Sequence, residues 1–138
     1  MDQPIGLRAA LSIGKALVAL IFFMNALGIV DQAGVARELV ANGVPATVAP
    51  IAMWSGRIVQ FVGALLLLAR HDRFAVIGCL LLVGFVAAAT GIAHRFWSAT
   101  GDDQVPQLIN FLKNLAIIGG LLSLASIYGS RLPNKVAA

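Results

Sequence analysis

Residues 74–93 read FAVIGCLLLVGFVAAATGIA, a run with no charged side chain, bounded by Arg70-His71-Asp72-Arg73 on one side and His94-Arg95 on the other. Coiled into an α-helix, a run of this length rises ~30 Å, the thickness of a bilayer's hydrocarbon core. The chain carries three more apolar runs, at 16–30, 51–69 and 115–128. With its flanks, each reaches the roughly 20 residues that a span requires. Almost every charge falls in the gaps between the runs. The expected fold is all-α: an antiparallel four-helix transmembrane bundle in a single domain, with helices at about 7–30, 47–69, 74–96 and 106–128.

Composition agrees. Of 138 residues, 59% are hydrophobic and only 12% charged, and the mean hydropathy is +0.90. A soluble domain of this size needs far more polar surface. Short loops leave no room for a separate soluble catalytic domain. The net charge of +4 and pI of about 10.0 would suggest nucleic acid in a soluble protein. Here the basic residues sit at membrane-edge positions, and no basic helix carries interleaved aromatics, so no nucleic-acid partner is expected and the bilayer is the expected surrounding. The first apolar segment follows Arg8 and Lys15 as a signal peptide would. It is long, contains Asn25 and lacks a small-x-small cleavage site, so it reads as a retained helix.

Between the first two spans, Val35, Leu39 and Val40 recur at helical spacing beside Arg37 and Glu38, which predicts a short interfacial helix. Asn42-Gly43-Val44-Pro45 then marks a turn, and Pro50 fits the first turn of the second span. Four spans put both termini and the Arg70–Arg73 turn on one side, with Arg8, Lys15, Arg70, Arg73, Arg131 and Lys135. The other side holds Arg37 and Arg95, diluted by Asp31, Glu38, Asp102 and Asp103. The positive-inside rule predicts cytoplasmic termini and a multi-pass protein of the bacterial inner membrane. Small residues four apart (Gly84 and Ala88, Ala87 and Gly91, Ala116 and Gly120, Gly119 and Ser123) suggest close helix packing. Association into a homo-oligomer is left open.

Polar residues inside the spans are the functional signal. Arg57 and Lys113 lie about two turns, or ~10 Å, below the outer boundary. A charge at such depth costs at least ~2.5–3.5 kcal/mol on insertion scales and tends to face a partner or a wet cavity. No Asp or Glu lies within an apolar core. Asn25, Gln60, His94, Arg95, Asn110 and Asn114 occupy the same outer half, so every span contributes. One reading is a pocket for an anionic or carbonyl-bearing hydrophobic molecule, such as a quinone or lipid head group, held by Asn25, Arg57, Gln60, His94, Arg95, Asn110, Lys113 and Asn114. The other is a structural network, with the cations snorkelling to Asp31, Asp102 or Asp103.

Other chemistry is poorly served. Cys79 is the lone cysteine and reads as a small buried hydrophobe. His71 and His94 stand 23 residues apart, or ~34 Å along a helix, too far to clamp one haem. No cluster has metal-ligand spacing. Ser55, Thr90, Ser98 and Thr100 lack an accompanying acid and histidine. Trp54, Phe96 and Trp97 read as interfacial anchors. With no internal electron carrier visible, a bound quinone is the one cofactor suggested, none being intrinsic.

His94-Arg95-Phe96-Trp97, followed by Phe111-Leu112-Lys113-Asn114 leading into Gly119-Gly120, resembles the signature of the DoxX family. So do the Arg-led first helix, the Asn42–Pro45 turn and a second helix with Gly56 and Gly63. The likeness runs from about Arg8 to Ser126. It implies a small four-helix inner-membrane fold in a redox-linked neighbourhood, since family members include a subunit of a membrane thiosulfate:quinone oxidoreductase and a partner in a mycobacterial oxidoreductase complex. Members often carry a Gly and a Lys late in the first helix, where this chain has Asn25-Ala26-Leu27-Gly28-Ile29. They often carry a Glu before a glycine pair in the second, where this chain has Gln60-Phe61-Val62-Gly63-Ala64. Neutral amides thus stand where the pattern implies an ion pair. The expected function is an auxiliary subunit of a redox-linked membrane system, with oxidoreductase subunits as partners. A stand-alone quinone-dependent oxidoreductase built on Lys113, Arg57 and His94, and a structural or stress-response membrane protein, are the alternatives.

Overall fold

The computed structural model describes residues 5–29 and 32–133, and among these there are helices and turns only. The charges at Asp31 and Lys135 that entered the orientation argument lie outside the described residues. Helix α1 covers Ile5–Ala26, α2 Gln32–Ala41, α3 Ala49–Leu68, α4 Asp72–Ala93 and α5 Gln104–Gly129, the last preceded by a 3-10 turn at Gly101–Asp103. Four of these (α1, α3, α4 and α5) are long and apolar enough to cross a membrane.

The boundaries are set by local chemistry. Helix α1 stops at Ala26 rather than running to residue 30. Gly28 adopts φ 75, its N–H bonds Asn25 O at 3.1 Å, and Ile29 N–H bonds Met24 O at 3.1 Å. This pair of bonds is a Schellman cap, which needs a left-handed residue and so favours glycine. Helix α2 ends the same way, with Gly43 at φ 92, Gly43 N–H to Val40 O at 3.0 Å and Val44 N–H to Leu39 O at 3.0 Å. Helix α4 ends at Ala93, three residues before the expected Phe96. His94 takes φ −116 and ψ 59, and Arg95-Phe96-Trp97-Ser98 forms a turn closed by Ser98 N–H to Arg95 O at 3.0 Å.

The long helices form a ring in chain order. Helix α1 packs on α3, α3 on α4, α4 on α5, and α5 closes lightly against α1, so every neighbour is antiparallel. The close approach falls between α3 and α4. A Cβ on Gly78 would collide with Leu67 N, and would lie 2.7 Å from Gly63 O and 2.9 Å from Leu66 C. By contrast, Gly84, Gly91, Gly119 and Gly120 have open space where a Cβ would stand. The small-residue pairs that the sequence suggested as packing sites therefore face outward, and Gly63 with Gly78 performs that role instead.

The two ends of the bundle differ. The end holding the start of α1, the α3–α4 turn and the end of α5 is tightly filled, with Leu67, Cys79, Leu82 and Leu121 wholly buried. Lys15 of α1 donates to Ala69 O at 3.1 Å and lies 5.1 Å from the Tyr128 ring centroid. At the opposite end the helices part, and α2 lies across α3 and α4 like a cross-beam. Phe96, Trp97 and Phe111 make an edge-on aromatic cluster there, with centroids 5.1–6.0 Å apart.

Candidate functional site

Beneath α2, the parted helices enclose a cavity of about 730 Å³. Its wall is mostly apolar. Ile21 and Phe22 come from α1, Val35 and Leu39 from α2, Met53 and Val59 from α3, Phe85 and Ile92 from α4, and Ile117 from α5. Leu80, Leu81, Gly84 and Ala88 also line it while remaining exposed on the outer surface. These four residues share one face of α4, so the cavity opens sideways towards the surrounding lipid as well as inward.

Of the eight residues nominated from sequence, Asn25, Arg57, Gln60, His94 and Asn114 line this cavity, and Arg95, Asn110 and Lys113 do not. Lys113 fails to join Arg57 because of helix phase. The inward stripe of α5 runs Asn114, Ile117, Leu121, Leu124 and Tyr128, and each residue turns ~100° from the last. Turning Asn114 inward leaves Lys113 exposed on the outer face. Asn110 lies one turn before Asn114, half-buried and beyond the cavity. Arg95 reaches outward to backbone. Its Nε donates to Gly91 O and its second guanidinium nitrogen to Asn42 O, both at 3.2 Å.

Two cavity residues were not foreseen. Glu38 of α2 lines the wall with Val35 and Leu39. The expected uncompensated positive pocket is therefore corrected: a carboxylate and a guanidinium share it. The signal was present in the sequence, because Val35, Glu38 and Leu39 fall at i, i+3 and i+4 and so share a helix face. The second is Ser55, one turn from Val59 on α3.

The remaining polar groups are held by specific bonds. Asn114 Nδ2 donates to Thr90 Oγ1 at 2.9 Å, and the buried Thr90 hydroxyl donates to Val86 O at 2.6 Å. His94 Nδ1 lies 2.9 Å from Gln107 Oε1, to which it donates. Arg57 Nε donates to Ala26 O at 2.8 Å, and its guanidinium lies 4.5 Å from the Trp54 ring centroid. A charged hydrogen bond contributes ~1.5–3 kcal/mol and a cation–π contact ~0.5–2 kcal/mol. Together they match the ~2.5–3.5 kcal/mol cost of a cation at membrane depth, so Arg57 is accounted for by the fold.

Gln60 is different. It is 6% exposed, its Nε2 donates to Gly56 O at 3.3 Å, and its buried Oε1 has no hydrogen-bond partner. A buried acceptor left this way costs ~1–3 kcal/mol. Among the described residues no group of three or more His, Cys, Asp or Glu side chains is placed to hold a metal.

Comparison with known proteins gives a partial likeness. Over 45 residues the chain is 40% identical to the inner membrane protein YphA of Escherichia coli (strain K12), a stretch covering 33% of this chain and 32% of YphA. The chain thus matches about a third of that relative's length. No family model and no solved structure matches. With four helices long and apolar enough to cross a membrane, the chain is a multi-pass inner-membrane protein in contact with the lipid bilayer.

Proposed function

We propose that this chain is a DoxX-type inner-membrane protein whose cavity receives the head of an amphipathic molecule, a quinone or a membrane lipid, and that it serves as an auxiliary subunit of a redox-linked membrane system. The observation that carries the proposal is the buried, unsatisfied Gln60 Oε1 in the wall of a cavity of about 730 Å³. A volume of this order suits a small-molecule head group and the first part of a tail. The wall supports an amphipath in particular. Polar groups from α1, α2, α3 and α5, with His94 just past the end of α4, line the cavity, and Leu80, Leu81, Gly84 and Ala88 form an apolar sill through which a tail would lie in the bilayer. The redox link rests on the family resemblance of His94–Trp97 and Phe111–Asn114.

The test is organic extraction of detergent-purified protein followed by mass spectrometry. The reading predicts about one quinone or lipid retained per chain through purification, with occupancy reduced at least several-fold in Gln60→Met. A protein that purifies empty, and whose melting temperature does not respond to added quinone or lipid, would contradict it, because an occupant specific to the native state must raise stability by mass action.

A further inference from the structure

We infer that the opposite end of the bundle carries a second binding site, separate from the cavity beneath α2, for the phosphate of an anionic glycerophospholipid. A recess of about 600 Å³ opens there between the start of α4 and the chain leaving α5. His71 and Arg73 line it from the α4 side and Arg131 from the α5 side. Arg73 and Arg131 are both exposed. The Arg131 guanidinium lies 5.1 Å from the Tyr128 ring centroid, a contact that holds it beside the recess. The His71 ring, edge-on to Phe74 at 6.1 Å, carries an N–H donor even when neutral. Guanidinium groups suit phosphate in particular, because their planar fork offers two parallel hydrogen bonds to its oxygens.

Charge and depth say what fits. Asp72 is the one carboxylate in the lining, and it is close enough to the Lys15 ammonium to interact with it. Lys15, Arg70, Arg73 and Arg131 thus meet at this end against a single acid among the described residues. The recess stands at the membrane boundary, since α4 begins at Asp72 and α5 ends at Gly129. A free anion would need only the cations, but the rest of the lining is apolar. Phe74 and Ile77, 47% and 51% exposed, share a face of α4 with Leu81 and lead from the arginines into the hydrocarbon. An acyl chain lies along that face while its phosphate sits between Arg73 and Arg131. Basic recesses between spans on the cytoplasmic side suit such head groups, and charge distribution predicts this end to be cytoplasmic.

The experiment is native mass spectrometry of the purified full-length protein in detergent, titrated with phosphatidylglycerol and with phosphatidylcholine of matched chains. Phosphatidylglycerol should bind at least about tenfold more tightly, taking about fivefold for each arginine near the surface, and an excess of inorganic phosphate should not displace it. The preference should fall about fivefold in Arg73→Gln and to within about twofold in Arg73→Gln/Arg131→Gln. Because Arg73 is exposed, the single variant tests the site even where the double variant fails to fold. Arg37→Gln/Lys113→Gln removes the same charge from elsewhere and should leave the preference unchanged. Equal binding of the two lipids by the wild-type protein would overturn the inference. So would displacement by inorganic phosphate, an equal loss in the control pair, or an anionic preference that survives both arginine changes.

Discussion

At the scale of the residue, depth alone did not separate the two cations: phase and partners did. Arg57 and Lys113 look alike in sequence, each a lone cation in an apolar span. In the folded chain Arg57 caps the C-terminal carbonyl at Ala26, while Lys113 stands exposed on the outer face of α5. Replacing Arg57 by Met removes the bond to Ala26 O and the Trp54 contact together with the cost of a cation at depth. Because these terms match, stability should change by less than ~1 kcal/mol, read as a melting temperature in detergent that moves by only a few degrees. Lys113→Leu should shift stability by less than ~0.5 kcal/mol and leave ligand occupancy unchanged. A large loss of occupancy in Lys113→Leu would mean that α5 turns the other residue inward. Gln60 was legible as a polar residue at depth. That its carbonyl lacks a donor was not, because this depends on where Gly56, Asn114 and Arg57 send their bonds.

At the scale of the element, all four spans lack a basic residue in their own last turn, and three of them, α1, α3 and α4, receive a cation from elsewhere or from beyond their end. Arg57 serves α1, Lys15 serves the residue ending α3, and Arg95 serves both α4 at Gly91 and α2 at Asn42. Helix C-terminal carbonyls attract cations, and within a membrane they have little water to turn to. Arg95 thereby fastens α2 over the cavity. Arg95→Ala should raise amide hydrogen exchange across residues 34–41 while leaving the middle of α3 and α4 protected. Unchanged exchange in α2 would show that the latch contributes little. Helix packing gives a second contrast. Gly78→Ala forces a methyl into the backbone of α3 and should lower the melting temperature sharply or abolish purification of folded protein. Gly119→Ala, with open space at its Cβ, should be neutral or stabilising by up to ~1 kcal/mol. Helix α2 itself was readable from Val35, Leu39 and Val40, but its Glu38 was assigned to water because nothing local shows that this short helix folds back over α3 and α4.

At the scale of the whole molecule, the four spans follow almost directly from hydropathy, because a bilayer leaves few backbone solutions other than helices for runs of this length. The arrangement around the ring was less legible. Apolar stripes on α1, α3, α4 and α5 are broad, since lipid and protein interior favour the same residues, and the Gly63–Gly78 contact marks which faces of α3 and α4 meet. The cavity arises from that asymmetry: the end near Leu67, Cys79 and Leu121 is filled, and the end under α2 is not. Charge distribution predicts that the filled end is cytoplasmic. A reporter fused after Ala138 should be active only as a cytoplasmic fusion, and activity restricted to the periplasm would reverse the orientation. The central claim is that an amphipathic molecule occupies the cavity beneath α2. It is tested most directly by photolabelling the purified protein with a diazirine-bearing hydroquinone and mapping the modified residues by mass spectrometry. The account predicts labels within α3 residues 52–60 and α4 residues 80–94 that disappear when unlabelled hydroquinone is added. Labels scattered over the outer faces around Leu17 and Lys113, and indifferent to competitor, would contradict it.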